Sequence, residues 1–118
     1  MKEFILLVRV PLTYSSEQAK EVNPKWEAVI NKWKAGNVFV TSFAFPGNSF
    51  VLSGEDRAVN NNPVISDNLR LVSSIIVTAA DSNIAINLAK LCPVLDYAGN
   101  IEIREIQQRR VNTSNGGI

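Results

Sequence analysis

Histidine is absent from this chain, and cysteine occurs once, at Cys92, among its 118 residues. A single cysteine cannot form an internal disulfide bond. Zinc and the other metals that prefer nitrogen or sulfur ligands lack the side chains that usually bind them. We therefore expect no metal site and no cofactor.

An excess of charge of either sign is also missing. The 12 lysines and arginines nearly balance the 11 aspartates and glutamates, which leaves a net charge of +1. A nucleic-acid-binding surface needs a field of basic side chains that displaces counterions. The basic pair Arg109-Arg110 stands near the end of the chain. We do not expect nucleic acid as a partner.

Long hydrophobic runs are absent as well, although 46% of the residues are hydrophobic. No run approaches the ~18 apolar residues of a membrane-spanning helix. The N-terminal apolar run is too short for a signal peptide and is not followed by a small-residue cleavage site. We expect one domain, no membrane partner and a cytoplasmic location.

The first third of the chain predicts a strand and then a helix. Residues 4–10 are apolar and β-rich, and Pro11 ends them. Asn23-Pro24 has the chemistry of a helix start, with asparagine as N-cap and proline in the first position. Trp26, Val29, Ile30 and Trp33 recur at helical spacing, and Gly36 follows as a C-terminal cap. We predict a helix over 24–35, preceded by a helical turn.

The middle of the chain predicts a β-hairpin. Residues 38–45 are aromatic and β-branched, which predicts a strand, and residues 46–48 have the composition of a turn. We predict that residues 49–52 form the strand that pairs with residues 38–45. A short edge strand over 57–59 and a loop over 60–63 come next.

The last third predicts strand, helix and strand. Residues 69–79 have a long strand pattern, Asp81 caps a helix that Pro93 ends, and residues 101–106 alternate between apolar and polar. The order of elements predicts an α+β, ferredoxin-like βαββαβ fold, an antiparallel sheet with two helices on one face. The other face also carries apolar residues, so we expect a homodimer packed sheet to sheet.

The segment 75–106 carries a resemblance to a known family. Its helix and Cys92-Pro93 stop, followed by Gly99 and the strand Ile101-Glu102-Ile103-Arg104, resemble the end of a YCII-related (DGPF-type) domain. The strand MKEFILL, the tryptophan helix and Ala35-Gly36 fit the front of that family. The resemblance implies a dimeric α/β barrel domain over 1–107. The polar, glycine-ending composition of residues 108–118 predicts a flexible tail.

The polar positions of that family are mostly replaced here. Its Asp-Gly-Pro-Phe motif falls on Asn61-Asn62-Pro63-Val64, so only the proline is kept. The acidic and basic residues that follow the motif fall on Ser66, Asn68 and Leu69, and a later glycine falls on Ser73. The histidine of the family's proposed His-Asp dyad has no counterpart. The resemblance thus implies the fold without the site.

We assign no catalytic residue, and five side chains are candidates for binding a ligand: Trp26, Asn61, Asp67, Arg70 and Arg104. Trp26 and Trp33 share a helical face, which favours core packing, although one of them can also form a pocket wall. Asp67 is either a displaced general base or a solvated loop residue. Asn61 either binds a polar ligand or satisfies its own loop.

Three arginines on predicted strands, Arg9, Arg70 and Arg104, have two interpretations. They form an anion-binding cluster across the sheet, or they pair with Glu102 or Glu105 on neighbouring strands.

Three functions remain open. The first is a non-catalytic dimeric protein that binds a small-molecule ligand, and the second is a hydrolase- or lyase-type enzyme with a cleft near residues 60–73. The third, an interaction with a transcription regulator, rests on the family resemblance alone.

Overall fold

The computed structural model describes residues 1–109. Residues 110–118, most of the predicted tail, lie outside the described residues. The helices and strands, in chain order, are β1 (Lys2–Pro11), α1 (Ser16–Ala35), β2 (Phe39–Ala44), β3 (Val51–Ser53), β4 (Ala58–Asn60), β5 (Ile65–Ser66), β6 (Leu69–Ala79), α2 (Ser82–Ala89), a 3₁₀ helix (Pro93–Tyr97) and β7 (Asn100–Ile106).

The predicted mixed α+β class is confirmed. The main sheet has the strand order β2-β6-β1-β7, and β5 folds back onto the start of β6. Every pairing in this sheet is antiparallel. The two long strands β1 and β6 form its centre.

The core lies between the helices and one face of the sheet. Alternate residues of β1 are buried because a strand points successive side chains to opposite faces. α1 buries Trp33 against this face, and α2 buries two small alanines. The buried hydrophobic residues are Phe4, Leu6, Val8, Val10, Val22, Trp33, Ile75, Val77, Ala79, Ala85, Ala89, Cys92 and Val94.

The first helix begins earlier than the sequence predicted. It starts at Ser16, and Pro24 lies inside it rather than in its first position. The Ser15 side chain accepts a hydrogen bond from the backbone N–H of Gln18, and the Gln18 side chain accepts one from the N–H of Ser15. This reciprocal cap satisfies two donors that a helix start leaves free, and it places the start upstream of the proline.

The predicted pairing of residues 49–52 with residues 38–45 is wrong. β3 pairs with β4 in a separate two-stranded sheet, whereas β2 pairs with β6. The short turn between β3 and β4 contains Gly54 and Arg57, both with positive φ. A tight turn of this kind closes a local hairpin. The entropic cost of closing so short a loop is small, which favours the pairing of β3 with β4.

The second face of the sheet carries no helix of the described chain. Phe43, Ser74, Leu7 and Glu102 form one row across four strands, as the pairing registers show. Thr41, Ile76, Ile5 and Arg104 form the next row. We call this surface the open face. Its β2, β6 and β1 positions are mainly apolar, and its β7 positions are charged.

Candidate ligand-binding cleft

A cleft of about 510 Å³ lies between the first half of α1 and the sheet. Its floor consists of apolar side chains from the ends of β1 and β6, among them Val10 and Val72. Trp26 and Asn23 of α1 line it from the helix side, and Tyr14 lines it from the loop that precedes α1. The volume falls within the ~300–1,000 Å³ that is usual for small-ligand sites.

Arg70 is the one charged side chain among the residues that line this cleft. It is half-buried and stands opposite Val10 in the β1–β6 register, which places it on the helix side of the sheet. Its guanidinium forms no hydrogen bond or ion pair with any described residue. A half-buried cation without a partner favours an anion beside it.

Arg9 and Arg104 have a different environment, because both are paired. Arg9 Nη1 lies 2.8 Å from Glu102 Oε1, and Arg104 Nη1 lies 3.6 Å from Glu102 Oε2. One glutamate therefore serves both arginines on the open face. Arg70 is separated from them by the sheet, so the three arginines do not share one site.

Tyr14 adds a protonated hydroxyl to the cleft. Its ring meets the ring of Tyr97 edge to face, with 6.3 Å between centroids and 87° between planes. Burial raises the pKa of Tyr14 above its ordinary value, and Tyr97 and Glu21 raise it further. Since the ordinary value is 10.0, the phenol is neutral at pH 7 and is suited to donate a hydrogen bond.

A lysine secures Tyr97 from outside the cleft. Lys25 Nζ donates to the Tyr97 hydroxyl oxygen over 3.2 Å and lies 5.2 Å from the centre of that ring. This contact ties α1 to the 3₁₀ helix and so holds the wall that contains Tyr14.

The start of α1 opens on the same cleft. Ser15 and Ser16 line it, and the cap described above uses the N–H groups of Ser15 and Gln18. The N–H groups of residues 16 and 17 have no acceptor within the helix, because helix geometry leaves the first turn unpaired. The positive end of the helix dipole therefore acts on the cleft in the same sense as Arg70.

The five predicted binding residues lie in several places. Trp26 and Arg70 share the cleft. Asn61 lines a neighbouring groove of about 180 Å³, which Arg70 also borders. Asp67 lies in a different depression beside Arg9 and Glu102. Arg104 is on the open face with Glu102.

Sequence reasoning missed Tyr14, Ser15, Asn23 and Phe45 as cleft residues. A signal was present for the first three, because Ser15-x-x-Gln18 is a capping-box pattern. That pattern, taken as the helix start, would have placed Tyr14 just before the helix and Asn23 two turns into it. Phe45 gave no such signal, since its contact with the cleft depends on how β2 pairs with β6.

The side chains that line the cleft include no carboxylate and no thiol. Cys92 lies in the core, where burial raises the pKa of its thiol from 9.0 to about 12. Residues 1–109 contain no group of three acidic or cysteine side chains placed to hold a metal ion. Over the same residues, no helix has the length and apolar character needed to cross a membrane.

No protein-family model matches the chain, and no curated protein matches it significantly.

Proposed function

We propose that this chain is a non-catalytic, dimeric protein that binds a small-molecule ligand in the cleft between α1 and the sheet. The observation that carries the proposal is the composition of that cleft. It combines an apolar floor, an aromatic side chain at Trp26 and the unpaired Arg70. Apolar surface with a few convergent polar groups is typical of sites that bind small molecules.

The proposal includes a ferredoxin-like fold of the YCII-related type. The order β2-β6-β1-β7 has the first and third long strands at its centre, as a split β-α-β arrangement requires. The family assignment is supported by the sequence resemblance over residues 75–106 and by the elements found there.

The enzyme alternative lacks a suitable acid or base in the cleft. General acid-base chemistry at neutral pH requires a group that titrates close to pH 7. Of the side chains that line the cleft, only Tyr14 and Arg70 ionise, and burial moves the pKa of Tyr14 further from neutrality. Arg70, as a guanidinium, stays charged.

The proposal is tested by a thermal-shift screen of small organic molecules, followed by the variant Trp26→Ala. We expect hits whose stabilisation is lost in that variant. The matched control is Phe50→Ala, because Phe50 is an exposed aromatic residue outside the cleft and should leave every hit unchanged. Hits that respond equally to both variants would contradict binding in the cleft.

A substrate panel tests the enzyme alternative separately. The informative variant is Asp67→Asn, since Asp67 is the carboxylate that the sequence analysis considered as a general base. Turnover that this single change abolishes would overturn the non-catalytic proposal.

A further inference from the structure

We infer that the ligand of the cleft is a small aromatic carboxylate, with its carboxylate group against Arg70. This inference rests on the proposed function and specifies the chemical class of the ligand.

The charge of the cleft is the first argument. Arg70 is half-buried, and a ligand that fills the cleft would remove it further from water. Burying a charge without a partner is costly, and no described side chain supplies one. A neutral ligand would leave that cost in place, and a cationic ligand would add repulsion. An anionic ligand compensates it.

The geometry of the donors is the second argument. A guanidinium presents two parallel N–H groups that match the two oxygens of a carboxylate. Ser15 and Ser16 line the same cleft at the start of α1, where the helix dipole also favours negative charge. Two independent elements, a strand side chain and a helix terminus, therefore favour an anion in one cavity.

The apolar lining is the third argument, and it sets the rest of the ligand. Tyr14, Trp26 and Phe45 all line the cleft, and its floor is formed by valines. Aromatic side chains favour offset or edge-to-face contact with another ring. An aliphatic acid would use the same Arg70 but would gain less from these three rings.

The second copy of the proposed dimer does not supply the missing partner of Arg70. Arg70 stands opposite Val10, a buried residue of the helix-covered face, whereas the proposed dimer contact uses the open face. The unpaired charge is thus a property of each protomer.

The test is a titration of the full chain at pH 7 with 2-naphthoate and with its neutral isostere 2-naphthamide. Binding is monitored through the backbone amide and indole N–H signals in NMR spectra. The two probes have the same ring system, and only one carries a charge. We expect 2-naphthoate to bind at least ~10-fold more tightly than 2-naphthamide, which corresponds to about 1.4 kcal/mol. The indole signal of Trp26 should shift, and that of Trp33, which is buried in the core, should stay in place.

The variant Arg70→Gln should remove the preference for the charged probe. Arg57→Gln is the matched control, since Arg57 is an exposed arginine in the β3–β4 turn and undergoes the same loss of charge. Arg70→Lys, which keeps the charge but loses the fork, should retain part of the preference. The two wild-type titrations need no variant, so the inference stays testable even if Arg70→Gln fails to fold.

Equal binding of both probes at Trp26 would overturn the carboxylate inference and leave ligand binding in the cleft intact. No shift of the Trp26 signal with either probe would overturn the inference and count against the proposed function as well.

Discussion

At the scale of single residues, the two tryptophans of α1 show how one helical face can serve two purposes. Trp33 is 1% exposed and belongs to the core, whereas Trp26 is partly exposed and lines the cleft. Their spacing of seven residues predicted a shared face correctly. It did not predict which of them stands over the close-packed part of the sheet, because that depends on how α1 crosses the strands.

We predict that Trp33→Ala lowers the free energy of unfolding by about 3–5 kcal/mol, as for other fully buried aromatic residues. Trp33→Phe should cost less than half as much. The indole Nε1 of Trp33 is buried without a hydrogen-bond partner, so the phenyl ring removes an unsatisfied donor while it keeps most of the apolar contact. Chemical denaturation of the three proteins measures both differences. A cost below about 1 kcal/mol for Trp33→Ala would show that the ring is not in the core.

Cys92 gives a second prediction, which concerns pH. Burial raises the pKa of its thiol from 9.0 to about 12 in the folded protein, whereas the unfolded chain keeps the ordinary value. The folded state therefore holds its proton more tightly. The stabilisation that results is complete below pH 9 and is lost as the pH rises toward 12.

The measurement is the unfolding free energy of wild type and Cys92→Ala between pH 7 and the alkaline range. We expect wild type to lose stability above pH 9 more steeply than the variant, because only wild type contains the thiol. Tyr14 also titrates with a raised pKa, but it is present in both proteins and cancels in the difference. Parallel curves would show that the thiol is not protected.

At the scale of elements, a strand or helix is predicted correctly from the sequence when the residues that determine it lie within or next to it. Residues 69–79 were predicted as a strand, and β6 spans Leu69–Ala79. Its β-branched residues and the N-cap at Asp81 are local features. Residues 49–52 also have a strand pattern, but their partner strand depends on whether the turn before them or the turn after them closes a hairpin. Sequence pattern alone does not rank the energies of two neighbouring turns.

The start of α1 is where the sequence prediction and the structure differ most clearly, since the sequence predicts a start at Pro24 and the structure has it at Ser16. Pro24 inside a helix lacks the N–H for one backbone hydrogen bond and crowds the preceding turn, at a cost of about 3 kcal/mol. We predict that Pro24→Ala stabilises the protein by about 1–3 kcal/mol, reduced by the greater freedom of the unfolded chain. Ser15→Ala should destabilise it by about 0.5–2 kcal/mol through loss of the N-cap.

Asn23→Ala is the control for this pair of variants. If the helix began at Pro24, Asn23 would be its N-cap, and the alanine variant would cost about 1 kcal/mol while Pro24→Ala would be nearly neutral. With the helix beginning at Ser16, Asn23 caps nothing, and its loss should change stability little. Helical content from circular dichroism, recorded beside thermal unfolding, distinguishes the two outcomes.

At the scale of the whole molecule, the open face is a partly apolar surface of the sheet that the two helices leave uncovered. Antiparallel sheets that face water usually carry polar residues there. The open face instead presents Leu7, Ile5 and Ile76, partly exposed at its centre, and Phe43, which is 52% exposed at its margin. The nearly continuous apolar runs over 4–10 and 38–45 predicted apolar residues on both faces, and the pairing registers place those of the open face in adjacent rows.

These rows lead to the prediction that the protein is a homodimer through its open face. A self-complementary apolar surface of this kind suits a two-fold interface, which should bury more than ~1,000 Å² in total. The charged residues Arg9 of β1 and Glu102 and Arg104 of β7 would border the contact, where ion pairs remain partly hydrated. Light scattering should give twice the mass of one chain at micromolar concentration.

The variant Phe43→Asp should shift this equilibrium to the monomer, since it would bring an unpaired carboxylate into the interface from each copy. The matched control is Ile84→Asp. Ile84 is 43% exposed on α2, so it receives the same substitution on a surface that faces away from the open face. The control should remain a dimer with unchanged secondary structure. A monomeric wild type, or equal dissociation of both variants, would rule out the open face as the dimer interface.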